Sequence, residues 1–170
     1  MMEAADLKAI QEPLKNQYRQ DPGSALITLS AQGMAGEGIS CKLETGKGLV
    51  SAGLHPATGG DGTLACSGDM LLEALVACAG VTLRAVATAT GIHLRQARIS
   101  AEGDLDFRGT LGVSKEAPVG FQAIRLTFEL DTDASDDEKA TLLKLTERYC
   151  VVLQTLRMPP QIETRLKELH

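Results

Sequence analysis

The chain has 170 residues, and 17 lysines and arginines against 22 aspartates and glutamates give a formal charge of −5 with histidine neutral. With 44% hydrophobic and 23% charged residues, it has the composition of a folded domain and not of a disordered or fibrous chain. The sequence has no cluster of lysine and arginine to form the basic surface that nucleic acid or an anionic membrane requires. We therefore expect no nucleic acid and no membrane as a partner.

The first 22 residues predict a helical arm, and residues 23–170 predict a single domain. Apolar residues recur at loose helical intervals over residues 4–20, with Pro13 as an interruption or a fresh start. The sequence begins without a signal-peptide pattern, and its four cysteines show no paired close spacing. Reduced thiols and a cytoplasmic location are the expectation.

Two antiparallel strands and a glycine-rich loop are predicted next. Residues 25–29 and 39–43 have strand composition, with residues 34–38 separating them. Seven glycines between Gly46 and Gly68 predict a loop, with an edge strand around residues 49–51. The loop lacks the glycine spacing of nucleotide sites, so a loop that closes over a partner is favoured.

A long central helix is predicted from Met70 to Thr90, ending at Gly91. Ser67 and Asp69 are its N-cap candidates. The helix is apolar nearly all round, which predicts protein on most of its sides. Its charged residues Glu73 and Arg84 would each cost about 2.5–3.5 kcal/mol at a bilayer centre, so a core helix is favoured over a membrane span.

The second half predicts two strands with one wet face, over residues 97–105 and 121–130, because apolar and polar residues alternate there. A capping box from Ser135 to Glu138 opens a helix that carries Cys150, with a further helical turn over residues 152–156. Pro159 and Pro160 break that helix, and residues 161–166 predict a final strand. This order of elements is α+β, with antiparallel pairing favoured.

Cysteine and histidine are the side chains most suited to chemistry. None of the His, Cys, Asp and Glu residues has the short spacing of a metal site, so neither a metal nor a cofactor is expected. Small residues surround Cys78 in the central helix, and by spacing alone Cys78 and Cys150 are more typical of packing residues. His55 is either an exposed loop histidine or half of a Cys–His pair.

Three further residues have open interpretations. Glu73 is expected to form a structural ion pair with Arg84 or Arg148, or to reach a dimer interface. Cys66, close to the helix start, is a second thiol that the positive helix end would affect, whereas Cys41 is expected to be inert.

Two segments carry a resemblance to a known family. The sequence GDMLLEALVAC, ending at Cys78, and ERYCVV, containing Cys150, resemble the paired-cysteine signature of the OsmC/Ohr family. The resemblance covers most of the chain, and the helix over residues 4–20 is additional. It implies an OsmC-like fold, with antiparallel sheets around a long buried helix, and an intertwined homodimer whose active sites draw residues from both chains.

The resemblance also implies a thiol-dependent hydroperoxide reductase. Cys78 would attack the peroxide as a thiolate, Cys150 would resolve the sulfenic acid as a disulfide, and an external dithiol would reduce that disulfide. The organic-hydroperoxide branch uses an early arginine held by a glutamate, but no arginine lies between Arg19 and Arg84. Asp69, nine residues before Cys78, resembles less characterised branches or is a helix cap.

The substitutes for that cation are Arg84, Arg19 and His55. Two other functions stay open beside the reductase. One is a catalytically silent protein that keeps the fold and binds a small apolar ligand at the dimer interface, which the missing arginine favours. The other is a redox sensor that forms a disulfide between Cys78 and Cys150 and transfers it to a partner protein.

Overall fold

The structure is a computed structural model that describes residues 3–6, 9, 11, 12, 16, 20, 32–35, 40–45, 48–112 and 114–168. It is α+β, as expected, with two small sheets and one long helix. The elements in chain order are β1 (Gln32–Ala35), β2 (Ser40–Thr45), β3 (Gly48–Gly53), β4 (Ala65–Cys66), α1 (Ser67–Thr90), β5 (Gln96–Asp104), α2 (Phe107–Thr110), β6 (Ala123–Asp131), α3 (Asp136–Tyr149) and α4 (Val151–Arg157).

The first sheet has the order β1-β2-β3-β4, with antiparallel pairing except between β3 and the short β4. The strand predicted around residues 49–51 does form, as β3. It is not an edge strand as predicted, because β3 pairs with β2 on one side and with β4 on the other. Residues 34 and 35 belong to β1 and not to a separating loop. The predicted strand over residues 25–29 lies outside the described residues. Residues 4–6, 9, 11, 12, 16 and 20 are helical, and the proposed arm boundary at residue 22 lies outside the described part.

The second sheet pairs β5 with β6 antiparallel, from Gln96 opposite Asp131 to Asp104 opposite Ala123. Half-buried and exposed residues alternate along both strands, which confirms the predicted wet face. Ion pairs cover that face, among them Arg125 with Glu102 at 3.2 Å. Such exposed pairs contribute little stability each. The short helix α2 lies in the connection between the strands and was not predicted.

The start of α1 differs from the prediction. Cys66 is the N-cap residue and its side chain makes no capping hydrogen bond, so Ser67 and Asp69 are not caps. Because β4 ends at Cys66, Ser67 is already helical and its side chain is past the capping position. Asp69 lies in the first turn, where a negative charge interacts favourably with the helix dipole. The end is as predicted, with Gly91 in the left-handed region at a φ of 73°.

The core lies on one face of α1, against α3, α4 and the second sheet. Leu75, Ala79 and Leu83 are fully buried on this face. Val81, on the opposite face, is 73% exposed, so the prediction of protein on most sides is wrong within one chain. The second sheet and the C-terminal helices cover one side alone. By length and composition α1 would also suffice to cross a membrane.

The C-terminal region contains one confirmed and two corrected elements. Ser135 and Glu138 form the predicted capping box of α3. Cys150 is not inside this helix, because the chain is extended there and a separate helix, α4, follows. The strand predicted over residues 161–166 does not form. Ile162 is 83% exposed and Leu166 98%, and among the described strands none pairs with this segment.

A candidate thiol site at the break between two helices

The break at Cys150 frees the first amides of α4. The Cys150 N–H donates to the carbonyl of Thr146 at 3.0 Å, which completes α3, and the next helical bond runs from the Gln154 N–H to the Cys150 carbonyl at 2.9 Å. Cys150 itself is extended, with φ −72° and ψ 106°. The N–H groups of Val151, Val152 and Leu153 are therefore the first of a helix and have no helical acceptor.

Cys78 and Cys150 meet at this break. Cys150 is fully buried in a cluster with Leu75 and Ala79, and the half-buried Cys78 packs against the same cluster together with Val152. Both cysteines are free thiols. The structure thus brings together the two cysteines that the sequence singled out, although 71 positions separate them.

The groups around Cys78 favour its thiolate. Burial raises the pKa of Cys78, but hydrogen bonds from the Val152 N–H, the Cys150 thiol, the Val151 N–H and the Thr82 hydroxyl outweigh burial, so the net shift is downward. The Thr82 hydroxyl also donates to the carbonyl oxygen of Cys78 at 2.8 Å. Its single proton serves one of these acceptors at a time.

The groups around Cys150 have the opposite effect. Burial has the largest effect and raises the pKa of Cys150. The Leu153 N–H comes next and lowers it, the hydrogen bond and negative charge of Cys78 raise it, the Val152 N–H lowers it, and the net shift is upward. Two thiols whose pKa values are shifted in opposite directions therefore lie side by side. Two neighbouring groups whose pKa values move apart are typical of sites with divided chemical roles.

Two charged residues of α1, Arg84 and Glu73, do not have the partners that the sequence suggested. Arg84 donates to the carbonyl oxygen of Leu94 at 3.0 Å, beyond the end of α1. Glu73 is exposed and forms no ion pair with Arg84 or Arg148, all three of which the structure describes, so the predicted pair is wrong. Arg19 lies outside the described residues.

His55 lines a cavity of about 350 Å³ together with Cys66 and Asp69. Cys78 is not among the residues that line this cavity. The His55 Nδ1 accepts the N–H of Ala57 at 3.0 Å, and its ring stacks on Phe107 with centroids 4.9 Å apart. His55 is thus held as the cap of a short 3-10 turn and is not paired with Cys78. Within the described part of the chain, no group of side chains could hold a metal ion. The side chain of Cys41 is outside that part.

The donors to Cys78 were missed by the sequence analysis. Thr82 lies one helical turn after Cys78, a spacing that places two side chains on one helix face, so a signal for it was present. The amides of Val151 and Val152 had no such signal, because they act through the backbone and depend on the break at Cys150.

A groove of about 580 Å³ lies beside the cysteine pair, between β6, α3 and α4. Its apolar lining includes Leu75, which lies one turn before Cys78. Glu147 and Arg157 also line it and form an ion pair at 3.0 Å.

Comparisons with known proteins identify the fold and the family. The family model described as OsmC-like protein matches residues 60–165. No curated protein sequence matches the chain. Among solved structures, an OsmC-like protein from Mycoplasma pneumoniae has a TM-score of 0.65 at 19% identity, covering 78% of this chain and 89% of that one.

Two further solved structures carry more descriptive names. An organic hydroperoxide resistance protein, OsmC, from Legionella pneumophila has a TM-score of 0.60 at 20% identity, covering 78% of this chain and 93% of that one. An organic hydroperoxide resistance protein from Elizabethkingia anophelis has a TM-score of 0.62 at 15% identity, covering 79% and 91%. The family match and the shared fold agree with the paired cysteines and the long helix: this chain belongs to the OsmC-like protein family.

Proposed function

We propose that the protein is a cytoplasmic thiol-dependent hydroperoxide reductase, with Cys78 as the reactive cysteine and Cys150 as the resolving one. The proposal rests on one observation: the two side chains are in contact, and their surroundings lower the pKa of Cys78 and raise that of Cys150. A thiolate is the nucleophilic form of cysteine. The solved relatives named for organic hydroperoxide resistance support this choice of substrate.

In the first step the Cys78 thiolate attacks the terminal oxygen of the hydroperoxide. An S–O bond forms, the O–O bond breaks, and the alkoxide leaves and takes a proton from water to give the alcohol. Cys78 is oxidised by two electrons to a sulfenic acid, and the peroxide is reduced. The Val151 and Val152 amides take the part that an arginine would otherwise play, because they stabilise the thiolate without a cationic side chain.

In the second step Cys150, in its thiolate form, attacks the Cys78 sulfur. An S–S bond forms, the S–O bond breaks, and hydroxide leaves and takes up the proton that Cys150 released, giving water. An external dithiol then reduces the disulfide by thiol exchange and is itself oxidised. The raised pKa of Cys150 keeps it protonated until the sulfenic acid has formed and the Cys78 negative charge is gone.

The test is the consumption of cumene hydroperoxide, and separately of hydrogen peroxide, by the reduced protein with dithiothreitol. We expect Cys78→Ser to abolish turnover and Cys150→Ser to permit one oxidation to the sulfenic acid without a disulfide. Cys66→Ser is the matched control, since it changes another free thiol, at the N-cap of α1, and should leave the rate unchanged. Turnover that survives Cys78→Ser would overturn the proposal.

The groove beside the cysteines favours a second candidate, a binding protein for a small apolar ligand. In this case Cys78→Ser would leave ligand binding intact, and no hydroperoxide would be consumed by the unmodified protein. Fluorescence of an apolar dye, displaced by candidate alkyl ligands, separates the two functions.

We also propose that the protein works as a homodimer. Leu71 and Val81 on the free face of α1 are exposed within one chain, as are Ile162 and Leu166 beyond α4. Exposed apolar surface of this extent is typical of an interface. A second copy would cover α1 and complete the surroundings of Cys78, which borders the free face.

A further inference from the structure

The carbonyl oxygen of Glu147 has an unusual donor. In a continuous helix it would accept the N–H of Val151, four residues later. The break at Cys150 removes this donor. The side chain of Gln154 replaces it, because its Nε2 donates to the Glu147 carbonyl oxygen at 2.7 Å in a part-buried position. Gln154 therefore reaches back from α4 to the last turn of α3.

This replacement matters because the Val151 N–H has two competing acceptors. One is the Glu147 carbonyl oxygen, which a continuous helix would give it. The other is the sulfur of Cys78, which packs at the break in one cluster with Cys150 and Val152 and whose pKa the Val151 N–H helps to lower. A part-buried carbonyl without a donor is unfavourable. Removal of the Gln154 amide would therefore draw the Val151 N–H back toward Glu147 and away from the sulfur.

We propose that Gln154 is a positioning residue for Cys78, which keeps the α3–α4 break open by occupying the Glu147 carbonyl oxygen. The proposal deepens the proposed function and rests on it, since it explains how the reactive thiolate keeps its amide donors. Gln154 touches neither cysteine side chain and acts through the backbone of Val151 and Val152.

Arg157 provides a matched control. It contacts the same residue from the same helix, but through the Glu147 carboxylate at 3.0 Å, with both side chains substantially exposed. An ion pair of this kind contributes little, and it leaves the Glu147 carbonyl untouched. Loss of Arg157 should therefore leave the break as it is.

The experiment measures the rate of Cys78 alkylation by iodoacetamide against pH in the full-length chain, with the modified cysteine identified by peptide fragmentation. Gln154→Met keeps the size of the side chain and removes the donor. We expect alkylation of Cys78 at pH 7 to become about three- to tenfold slower, with no difference at pH 10.5, where the thiol is ionised in both proteins. Arg157→Met should stay within about 1.5-fold of the unmodified protein.

Gln154→Leu gives the same comparison, since it also removes the donor without adding a charge, and it decides the question if Gln154→Met does not fold. An unchanged pH profile in the Gln154 variant would overturn the proposal, as would an equal shift in Arg157→Met. Alkylation requires no peroxide, so the two proposals can fail separately. A shifted profile in a protein without peroxide turnover rejects the reductase alone, and turnover with an unshifted profile rejects the role of Gln154 alone.

Discussion

At the scale of single residues, the donors to Cys78 differ in how the sequence encodes them. Thr82 is four residues after Cys78 on the same helix, so a helical prediction places it beside the cysteine. The Val151 and Val152 amides become donors because α3 ends at Cys150, where the chain packs into the core. The family resemblance predicts the pairing of Cys78 with Cys150, whereas the groups that lower the pKa of Cys78 are a tertiary property.

Thr82→Val tests the side-chain donor at this scale. Valine keeps the shape and removes the hydroxyl, so the pKa of Cys78 should rise and its thiolate fraction at neutral pH should fall. We expect iodoacetamide to alkylate Cys78 about two- to fivefold more slowly at pH 7, with the difference vanishing above the pKa of both proteins. The pH profile of alkylation measures this.

Thr90→Val is the control for that change. The Thr90 hydroxyl donates to the carbonyl oxygen of Val86 at 2.8 Å, as the Thr82 hydroxyl donates to that of Cys78. Both threonines lie in α1, but Thr90 is about three turns from Cys78. Its loss should leave the profile of Cys78 unmoved. An equal change in both variants would mean that helix stability, and not the hydroxyl at the sulfur, sets the reactivity.

At the scale of the elements, the alternation and capping-box patterns, which lie within one element, predicted the structure. Features that depend on contacts between elements were not predicted. Alternation predicted β5 and β6, and the capping box predicted the start of α3, because each pattern lies within a few residues. The segment ERYCVVLQTL contains no glycine or proline, so nothing local marks the break at Cys150. Residues 161–166 alternate as a strand does, but a strand also needs a neighbour, which one chain does not provide.

Two serines that the sequence presents as helix caps should differ in stability. Ser135 accepts the N–H of Glu138 at the start of α3, so Ser135→Ala should cost about 1 kcal/mol of unfolding free energy. For a chain of this length, that corresponds to a fall in Tm of about 2–4 °C. Ser67 does not cap α1, and Ser67→Ala should change the free energy by less than about 0.5 kcal/mol. Thermal unfolding followed by circular dichroism compares them, and an equal loss in both would contradict the assigned helix start.

At the scale of the whole molecule, one chain leaves its longest helix half covered. Because α1 is apolar nearly all round, its sequence predicts protein on most of its sides. This prediction holds only if a second copy of the chain covers the exposed side of the helix. The family resemblance implied such a dimer, whereas composition alone did not distinguish a partner chain from the chain's own core. The apolar stripe of Leu71, Ala74, Ala77 and Val81 recurs every three to four residues, as helix packing requires.

Val81→Asp tests this interface directly. A carboxylate at this exposed position of the stripe would be buried without a partner in the dimer, which costs several kcal/mol, whereas it would remain solvated in the monomer. We expect sedimentation equilibrium to show a dimer for the unmodified protein and a largely monomeric Val81→Asp variant at the same concentration. Thr141→Asp, at an exposed position of α3, should remain dimeric. A monomeric unmodified protein would contradict the assembly.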